Sequence, residues 1–206
     1  MNYIKDKAIV VTGAASGFGR LVAQKVSALG ASVVVADINI EELAETLSSL
    51  ENPDNAISVV ADVADRNAVA QVSAEAFGRF GSIDIMLNNA GVMPLAFFSD
   101  HGVAAEAWDR CIDINIKGVL NGICAVYDQM ISQGHGHVIN VSSIYGLVGT
   151  KERPAYCAAK GGVRMLSKSI AVDYATDNIR ANSIMPGPIE TPRLLARNPS
   201  IQAVIE

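Results

Sequence analysis

Short apolar runs alternate along this chain with longer segments of helical periodicity. The runs cover residues 7–12, 32–37, 56–61, 83–88, 136–143 and 179–186, and several are rich in Val and Ile. Strands that are buried on both faces have this composition, because neither side of such a strand meets water. The alternation therefore predicts an α/β fold in three layers, with a doubly wound parallel sheet between two layers of helices.

The intervening segments have the spacing of amphipathic helices. In residues 20–30 and 66–81, apolar positions recur at intervals of three or four. Asp65 is the predicted N-cap of the second segment, and Gly78 and Gly81 mark its predicted end. Ligands of such sheets bind beyond the carboxyl ends of the strands, so the residues that follow each strand form the candidate site.

The composition narrows the range of partners and locations. The 206 residues fit a single domain, predicted to span 1–206, and the net charge of −5 without any basic run argues against a nucleic-acid partner. The apolar runs are too short to cross a bilayer, and the amino terminus lacks the pattern of a signal peptide, so no membrane partner is expected. Cys111, Cys124 and Cys157 form no CxxC pair, which predicts a reducing, cytoplasmic location.

A glycine-rich turn follows the first predicted strand. Gly13, Gly17 and Gly19 lie in the sequence TGAASGFG, directly before a predicted helix. Glycine permits a tight turn and lets a pyrophosphate approach the backbone, while the first N–H groups of the helix attract its negative charge. In this position the turn predicts dinucleotide binding rather than a plain tight turn.

The second predicted strand ends in Asp37, eighteen residues after Gly19. A carboxylate there can accept hydrogen bonds from the adenosine ribose, as in NAD sites. It would repel the 2′-phosphate of NADP by about 4 kcal/mol per pair of unit charges at roughly 4 Å and an effective dielectric constant of about 20. No Arg or Lys in residues 14–18 or 38–40 offsets this repulsion, so NAD is predicted over NADP. The alternative role of Asp37 is a strand-end cap.

Tyr156 and Lys160 are four residues apart in PAYCAAKGG, which brings their side chains onto one face of a helix. Ordinary protein surfaces carry many such pairs, so the pair alone does not indicate chemistry. A free phenol titrates near pH 10 (about three units too high for neutral conditions), and a nearby ammonium is expected to lower its pKa. A phenol tuned in this way could exchange a proton with a substrate hydroxyl.

Other polar and aromatic residues are interpreted as structural. His135 and His137 are two residues apart and lack a third ligand cluster, so no metal site is predicted and both are taken as surface or packing residues. Trp108 and Cys157 are also expected to pack against neighbours rather than to contact a substrate.

Bulky apolar residues follow the fourth and fifth predicted strands. Residues 92–108, together with Tyr145, Leu147 and Val148, are expected to form an apolar wall for a partly hydrophobic alcohol or ketone. This wall predicts a preference for hydrophobic over highly charged alcohols. For Phe97 and Phe98 the alternative is a hydrophobic surface covered by a partner subunit.

Seven motifs occur in a fixed order along the chain. They are TGAASGFG (12–19), Asp62-Val63, NNAG (88–91), Asn115 within DINIKG, INVSS (139–143), YCAAK (156–160) and PGPIET (186–191). In these motifs the sequence resembles the compact form of the short-chain dehydrogenases/reductases, over essentially its whole length. The resemblance implies a Rossmann-type sheet that binds a nicotinamide cofactor.

The resemblance also implies a set of cofactor contacts. Asp62 and Val63 would bracket the adenine, residues 89–91 would line the ribose side, and Ile189 and Thr191 would contact the nicotinamide carboxamide. The full implied set is Thr12, Gly13, Ser16, Gly17, Phe18, Gly19, Asp37, Asp62, Val63, Asn89, Ala90, Gly91, Tyr156, Lys160, Pro186, Gly187, Ile189 and Thr191.

The catalytic group that the resemblance implies is Ser143, Tyr156 and Lys160, with Asn115 holding a water behind the lysine. Ser143 is preferred to Ser142 because it lies thirteen residues before Tyr156, which is the family spacing. Ser142 is expected to point the other way. The implied substrate contacts are Ser143, Tyr145, Val148 and Met93.

The expected activity is therefore NAD(H)-dependent hydride transfer between nicotinamide and a secondary alcohol or ketone, in a homo-oligomer that is a dimer or tetramer by resemblance. Members of the family usually continue beyond position 206, so residues 186–206 are interpreted as the start of a substrate lid, and the final strand region is expected to be absent. A non-catalytic NAD-binding regulator, or an inactive truncated relative, is the alternative. A cofactor-free interaction protein is disfavoured by the glycine turn together with Asp37.

Overall fold

Six parallel strands form one sheet in the residues that the computed structural model describes, which are 3–189 except 96, 98 and 100. The strands are β1 (Ala8–Thr12), β2 (Ser32–Asp37), β3 (Ala56–Val60), β4 (Ile85–Asn88), β5 (Gly136–Val141) and β6 (Ile179–Ile184). Their order across the sheet is β3-β2-β1-β4-β5-β6, with every neighbouring pair parallel. The order reverses between β1 and β4, as in a doubly wound sheet. The predicted fold class is confirmed.

Helices cover both faces of this sheet. They are α1 (Gly17–Ala28), α2 (Ile40–Ser48), α3 (Arg66–Phe80), α4 (His101–Ile112), α5 (Gly118–Gln133) and α6 (Pro154–Asp173). Apolar residues of α1 and α2 form one cluster with one face of the sheet, and those of α3, α5 and α6 form a second cluster with the other face. The fold therefore has the three layers that the sequence predicts.

The side chains of strand β1 are packed on both faces of the sheet, which explains why the strand has no alternating polar residues. Val10 contacts the cluster of α3, α5 and α6, whereas Ile9 and Val11 contact the cluster of α1 and α2. All five residues of β1 are buried. At roughly 1.5–3 kcal/mol for each fully buried large apolar side chain, burial on both faces is a major source of stability for the sheet.

The boundaries of α1 and α3 agree with the sequence prediction. Helix α1 begins at Gly17, in the glycine-rich turn, so its first N–H groups belong to that turn as expected. Helix α3 has the predicted N-cap, since the Asp65 carboxylate accepts from the Asn67 N–H at 2.8 Å. Its end lies at Gly81, which has a left-handed φ of 73°. The helix thus ends close to Gly78 and Gly81, as predicted, with Gly78 in its last turn.

A π-helical turn at Asp113–Lys117 joins α4 directly to α5. Such turns insert an extra residue into a helix and occur often at functional sites. This turn carries Asn115, whose side chain is completely buried. The chain after β6 is described as far as residue 189, so Thr191 and most of the predicted lid lie outside the described residues.

Candidate active site

The turn after β1 is compact because its glycines lie against neighbouring backbone. Gly13 has a φ of 65°, and a Cβ there would lie 2.7 Å from the Ala90 Cα. A Cβ on Gly19 would lie 2.2 Å from the Gly13 carbonyl oxygen. Ser16 is the N-cap of α1, yet its side chain makes no capping hydrogen bond. The first turn of α1 thus fits the phosphate-binding role predicted for Gly13, Ser16, Gly17, Phe18 and Gly19.

Thr12 and Asn89 hold this turn against the end of β4. The Thr12 hydroxyl accepts from the Asn89 N–H at 3.1 Å and from the Ala90 N–H at 3.2 Å. The Asn89 amide donates to the carbonyls of Thr12 and Gly13 at 2.9 and 3.1 Å. Asn89 therefore fixes the turn, a positioning task additional to its predicted contact with the ribose side.

Asp37 ends β2 next to the same turn. Its carboxylate accepts from the Ala15 N–H at 3.0 Å and from the Asn39 N–H at 3.1 Å. Arg20 also lines this side of the cleft, but its guanidinium donates to Ala15 and Glu42 carbonyls and its Nε to the Thr46 hydroxyl. Arg20 also forms an ion pair with Glu45 at 3.3 Å, so its charge is balanced by a carboxylate other than Asp37.

Asp62 and Val63 follow β3 and line the same cleft. Asp62 accepts from the Ala64 N–H at 2.9 Å and forms an ion pair with Arg110 at 2.9 Å. The Asn121 amide donates to the Val63 carbonyl at 2.8 Å. Arg110 and Asn121 were not predicted, because they are on α4 and α5 and meet this part of the cleft only in the folded chain.

These elements line a cleft of about 1020 Å³. The glycine turn, Asp37, Asp62 and residues 89–91 all contribute to its wall. A cleft of this volume lies at the upper end of the range of small-molecule and cofactor sites. Its size and its donors fit an extended dinucleotide placed where the strand order of the sheet reverses.

A second cavity of about 360 Å³ adjoins the cleft, and both are lined by Phe18, Asn89 and Gly91. The predicted residues that line it are Phe18, Asn89, Gly91, Met93, Asn115, Ser143, Tyr145, Tyr156, Lys160, Pro186, Gly187 and Ile189. Val148 does not line it and is 57% exposed, since the chain turns away from the cavity after the 3₁₀ turn at Ile144–Gly146. The structure therefore does not support a substrate contact for Val148.

Ser143, Tyr156 and Lys160 converge at this second cavity. The Lys160 Nζ lies 5.7 Å from the centre of the Tyr156 ring. The Ser143 hydroxyl accepts from the Tyr145 N–H at 3.2 Å, which leaves its proton available to another acceptor. Ser142 points elsewhere, as predicted, because its hydroxyl donates to the Lys160 carbonyl at 2.6 Å.

The protonation behaviour of Tyr156 differs from the sequence expectation. Burial raises the pKa of the Tyr156 phenol, and the interaction with the Ser143 hydroxyl acts in the opposite direction without reversing the shift. Burial also lowers the pKa of Lys160 to about 8. The expected lowering of the Tyr156 pKa is therefore not seen in the protein by itself, because burial of the phenol decides the direction of the shift.

The side chains of Asn115 and Lys160 both lie close to the backbone of Gly91. A Cβ on Gly91 would lie 2.8 Å from the Asn115 Oδ1 and 3.4 Å from the Lys160 Nζ. The Asn115 amide donates to the carbonyls of Val92 and Cys111 at 2.8 and 2.9 Å. Its buried Oδ1 has no hydrogen-bond partner among the described residues. This free acceptor beside the lysine is suited to the water-holding role predicted for Asn115.

The residues interpreted as structural have protein partners. His135 hydrogen-bonds Asp84 at 3.1 Å and His137 hydrogen-bonds Asn182 at 2.8 Å. Trp108 packs in an apolar cluster that includes Cys111. Within the described part of the chain, no cluster of side chains is suited to hold a metal ion, and no helix is long and apolar enough to cross a membrane.

Comparison with known proteins decides the family. The short chain dehydrogenase family model matches residues 7–201. The chain belongs to the short-chain dehydrogenase/reductase family. Its members are oxidoreductases, and the six-stranded parallel sheet flanked by helices matches their structures.

Named relatives cover most of this chain. It is 40% identical over 196 residues to trans-4-hydroxycyclohexanecarboxylate dehydrogenase of Sinomonas cyclohexanicum, covering 92% of this chain and 74% of that protein. The crystal structure of levodione reductase superposes with a TM-score of 0.87 at 33% identity, covering 96% and 79% of the two chains. A family member from Burkholderia phymatum in complex with NAD has the same TM-score at 29% identity, covering 93% and 69%.

Proposed function

We propose that this protein is an NAD(H)-dependent oxidoreductase that transfers hydride between nicotinamide and the carbon of a secondary alcohol or ketone. The observation that carries the proposal is the convergence of Ser143, Tyr156 and Lys160 at a cavity continuous with the cleft of the glycine turn. A bound nicotinamide cofactor supplies the hydride chemistry. The side chains of this protein supply position and a route for the proton.

Tyr156 is the proposed general acid and base. In alcohol oxidation its phenolate oxygen accepts the hydroxyl proton of the substrate, and in ketone reduction its hydroxyl donates that proton. Ser143 donates a hydrogen bond to the substrate oxygen as negative charge develops there. The raised pKa of Tyr156 in the protein by itself favours the protonated phenol. Oxidation therefore requires the additional positive charge of the oxidised cofactor.

Lys160 is proposed to place a positive charge and hydrogen-bond donors between Tyr156 and the ribose of the cofactor. One of its three protons is donated to the Val141 carbonyl at 2.7 Å, which holds Nζ at the end of β5. The remaining donors can reach the ribose hydroxyls and a water held by Asn115. Asn115, Ser143, Tyr156 and Lys160 thus form the proposed catalytic group.

Asp37 supports NAD over NADP as the cofactor. Two backbone N–H groups fix its carboxylate at the rim of the cleft, and Arg20 is occupied by other acceptors. The similar Burkholderia phymatum protein is described in complex with NAD, which agrees with this choice. The rest of the predicted cofactor set is retained in the proposal.

The proposed substrate is a compact, partly hydrophobic secondary alcohol or ketone. Val92, Met93, Ile144 and Tyr145 provide apolar wall in a cavity of about 360 Å³. The similar enzyme of Sinomonas cyclohexanicum is named for a cyclic substrate with a ring hydroxyl group, which has this size and character. A homo-oligomeric assembly is proposed on the family resemblance.

The proposal is tested by an NADH titration and by screening secondary alcohols and ketones while the NADH absorbance is followed. We expect NADH to bind and a compact alcohol or ketone to be turned over. Tyr156→Phe should abolish turnover and leave NADH binding nearly intact. NADH binding without turnover of any substrate would favour the non-catalytic regulator. Unchanged activity in Tyr156→Phe would contradict the assigned proton transfer.

A further inference from the structure

Arg153 lines the second cavity and has no described partner for its side chain. It precedes the first residue of α6, three positions before Tyr156. Its Nε is buried without a hydrogen-bond partner, and no ion pair joins its guanidinium to a described residue. Arg20 and Arg110, by contrast, are held by protein acceptors. A buried guanidinium nitrogen without an acceptor carries a desolvation cost that a ligand can relieve.

The charge around this cavity is unbalanced. Its described lining includes two cationic side chains, Arg153 and Lys160, and no Asp or Glu. Lys160 is directed to the Val141 carbonyl, whereas the guanidinium of Arg153 has no such acceptor. Most of the remaining wall is apolar, so an anionic group in the cavity would find one suitable charged partner that is not already engaged. The sequence expectation of an apolar wall did not include this residue.

We infer that Arg153 determines substrate specificity by binding a carboxylate carried by the secondary alcohol or ketone. This inference rests on the proposed function. A guanidinium can donate two parallel hydrogen bonds to a carboxylate, which fixes its orientation as well as its position. With the carboxylate at Arg153, the reacting carbon lies towards Ser143 and Tyr156. The substrate class is then a compact hydroxy acid or oxo acid, in which the rest of the molecule contacts the apolar wall.

The inference is tested with alcohols that differ only in charge. β-Hydroxybutyrate and γ-hydroxyvalerate are each compared with their primary amides, and kcat/KM is measured for the wild type, Arg153→Met and Arg153→Lys. We expect the wild type to prefer at least one carboxylate over its amide by about tenfold or more, as an arginine–carboxylate pair provides. The preference should be lost in Arg153→Met and reduced in Arg153→Lys. Lys151→Met removes the same charge from an exposed position two residues away and should keep the wild-type ratio.

A binding measurement separates this inference from the proposed reaction. Benzoate and benzamide, which undergo no hydride transfer here, are titrated calorimetrically into the protein with saturating NADH and without it. We expect benzoate to bind more tightly than benzamide, and Arg153→Met to remove that difference. Failure of NADH to bind would contradict the proposed function, while the titration without NADH would still report on Arg153. Equal carboxylate and amide preference in wild type, or a preference unchanged by Arg153→Met, would overturn the inference.

Discussion

The Lys160 ammonium nitrogen lies 2.7 Å from the carbonyl oxygen of Val141, at the point where β5 ends. The side chain of Lys160 is buried, and no carboxylate among the described residues forms an ion pair with it. A carbonyl dipole compensates a buried charge only in part. The remaining desolvation cost of the Lys160 charge lowers stability. Lys160 therefore serves its proposed role in the reaction rather than the stability of the fold.

Lys160 should make stability depend on pH in the alkaline range. Burial lowers its pKa from the ordinary 10.5 to about 8, so between these values the unfolded chain binds more protons than the folded one. The unfolding free energy of the wild type relative to Lys160→Met should therefore rise with pH in this window, by up to about 1.4 kcal/mol per pH unit. Below about pH 8 the cost of the buried charge is at its full value, and the difference between the two proteins should level off.

Urea unfolding of both proteins across this pH range measures the effect. Lys168→Met is the matched control, because Lys168 is an exposed lysine on the same helix. The difference in unfolding free energy between Lys168→Met and the wild type should not change with pH. If the unfolding free energies of the wild type and Lys160→Met changed with pH in parallel, the Lys160 ammonium would be better solvated than its burial indicates, and the prediction would be wrong.

The sequence predicted the sheet and the glycine turn because both depend on local patterns. Strands buried on two faces must be rich in apolar residues, and a turn that packs against Ala90 requires glycine at position 13. The direction of the Tyr156 pKa shift could not be predicted in this way. It depends on how much water the folded chain removes from the phenol, and a sequence pattern contains no such information.

The role inferred for Arg153 could not be predicted from the sequence either. In the sequence it is one of 16 Lys and Arg residues, and nothing local marks it as lacking a partner. Its importance follows from the absence of acidic residues in the described cavity wall, which is assembled from distant parts of the chain. Arg110, which pairs with Asp62 across 48 positions, escaped prediction for the same reason.

Asp37 should make the protein bind NADH more tightly than NADPH. Its carboxylate is fixed by the N–H groups of Ala15 and Asn39, so it cannot easily turn away from a 2′-phosphate. We expect a preference of about tenfold or more, equivalent to about 1.4 kcal/mol. Asp37→Ser should reduce that preference, and it should also weaken NADH binding because an acceptor for the ribose is lost. Fluorescence titration with both nucleotides measures these affinities.

Asp54→Ser is the control for Asp37→Ser, because it removes one carboxylate from an exposed turn that does not line the cleft. It should leave the ratio of the two affinities unchanged. Equal affinities of the wild type for NADH and NADPH would refute the assigned role of Asp37.

Asp84 should make the fold sensitive to acid. Burial alone would raise its pKa, but hydrogen bonds from Lys7, the Ala8 N–H and His135 outweigh burial and hold the pKa below its ordinary value. A carboxylate with a depressed pKa stabilises the folded state above its unfolded pKa of about 3.9, and this contribution is lost as the pH falls through the folded value. The unfolding free energy of the wild type should therefore drop more steeply below about pH 4 than that of Asp84→Asn. Equal slopes in acid unfolding experiments would contradict this.

Gly122 lies against a series of hydrogen-bonded polar side chains inside the core, which leaves no room for a larger residue. A Cβ at this position would lie 2.0 Å from the Asn88 Oδ1. Asn88 cannot move freely, because its amide donates to the Asn140 Oδ1 at 2.9 Å and the Asn140 amide donates to the Ser167 hydroxyl at 2.9 Å. Gly122→Ala should therefore destabilise the protein by about 1–3 kcal/mol, the usual cost of overpacking a core.

The matched control for Gly122→Ala is Gly78→Ala, in which the same methyl group is added to an exposed helical position with no atom within 4 Å. That change should stabilise the protein by up to about 1 kcal/mol, because alanine has the higher helix propensity. Chemical unfolding of the two variants should thus give shifts of opposite sign. A stabilising effect of both would mean that Asn88 can leave its hydrogen-bonded position without cost, and that the buried amide chain does not hold β4, β5 and α6 together.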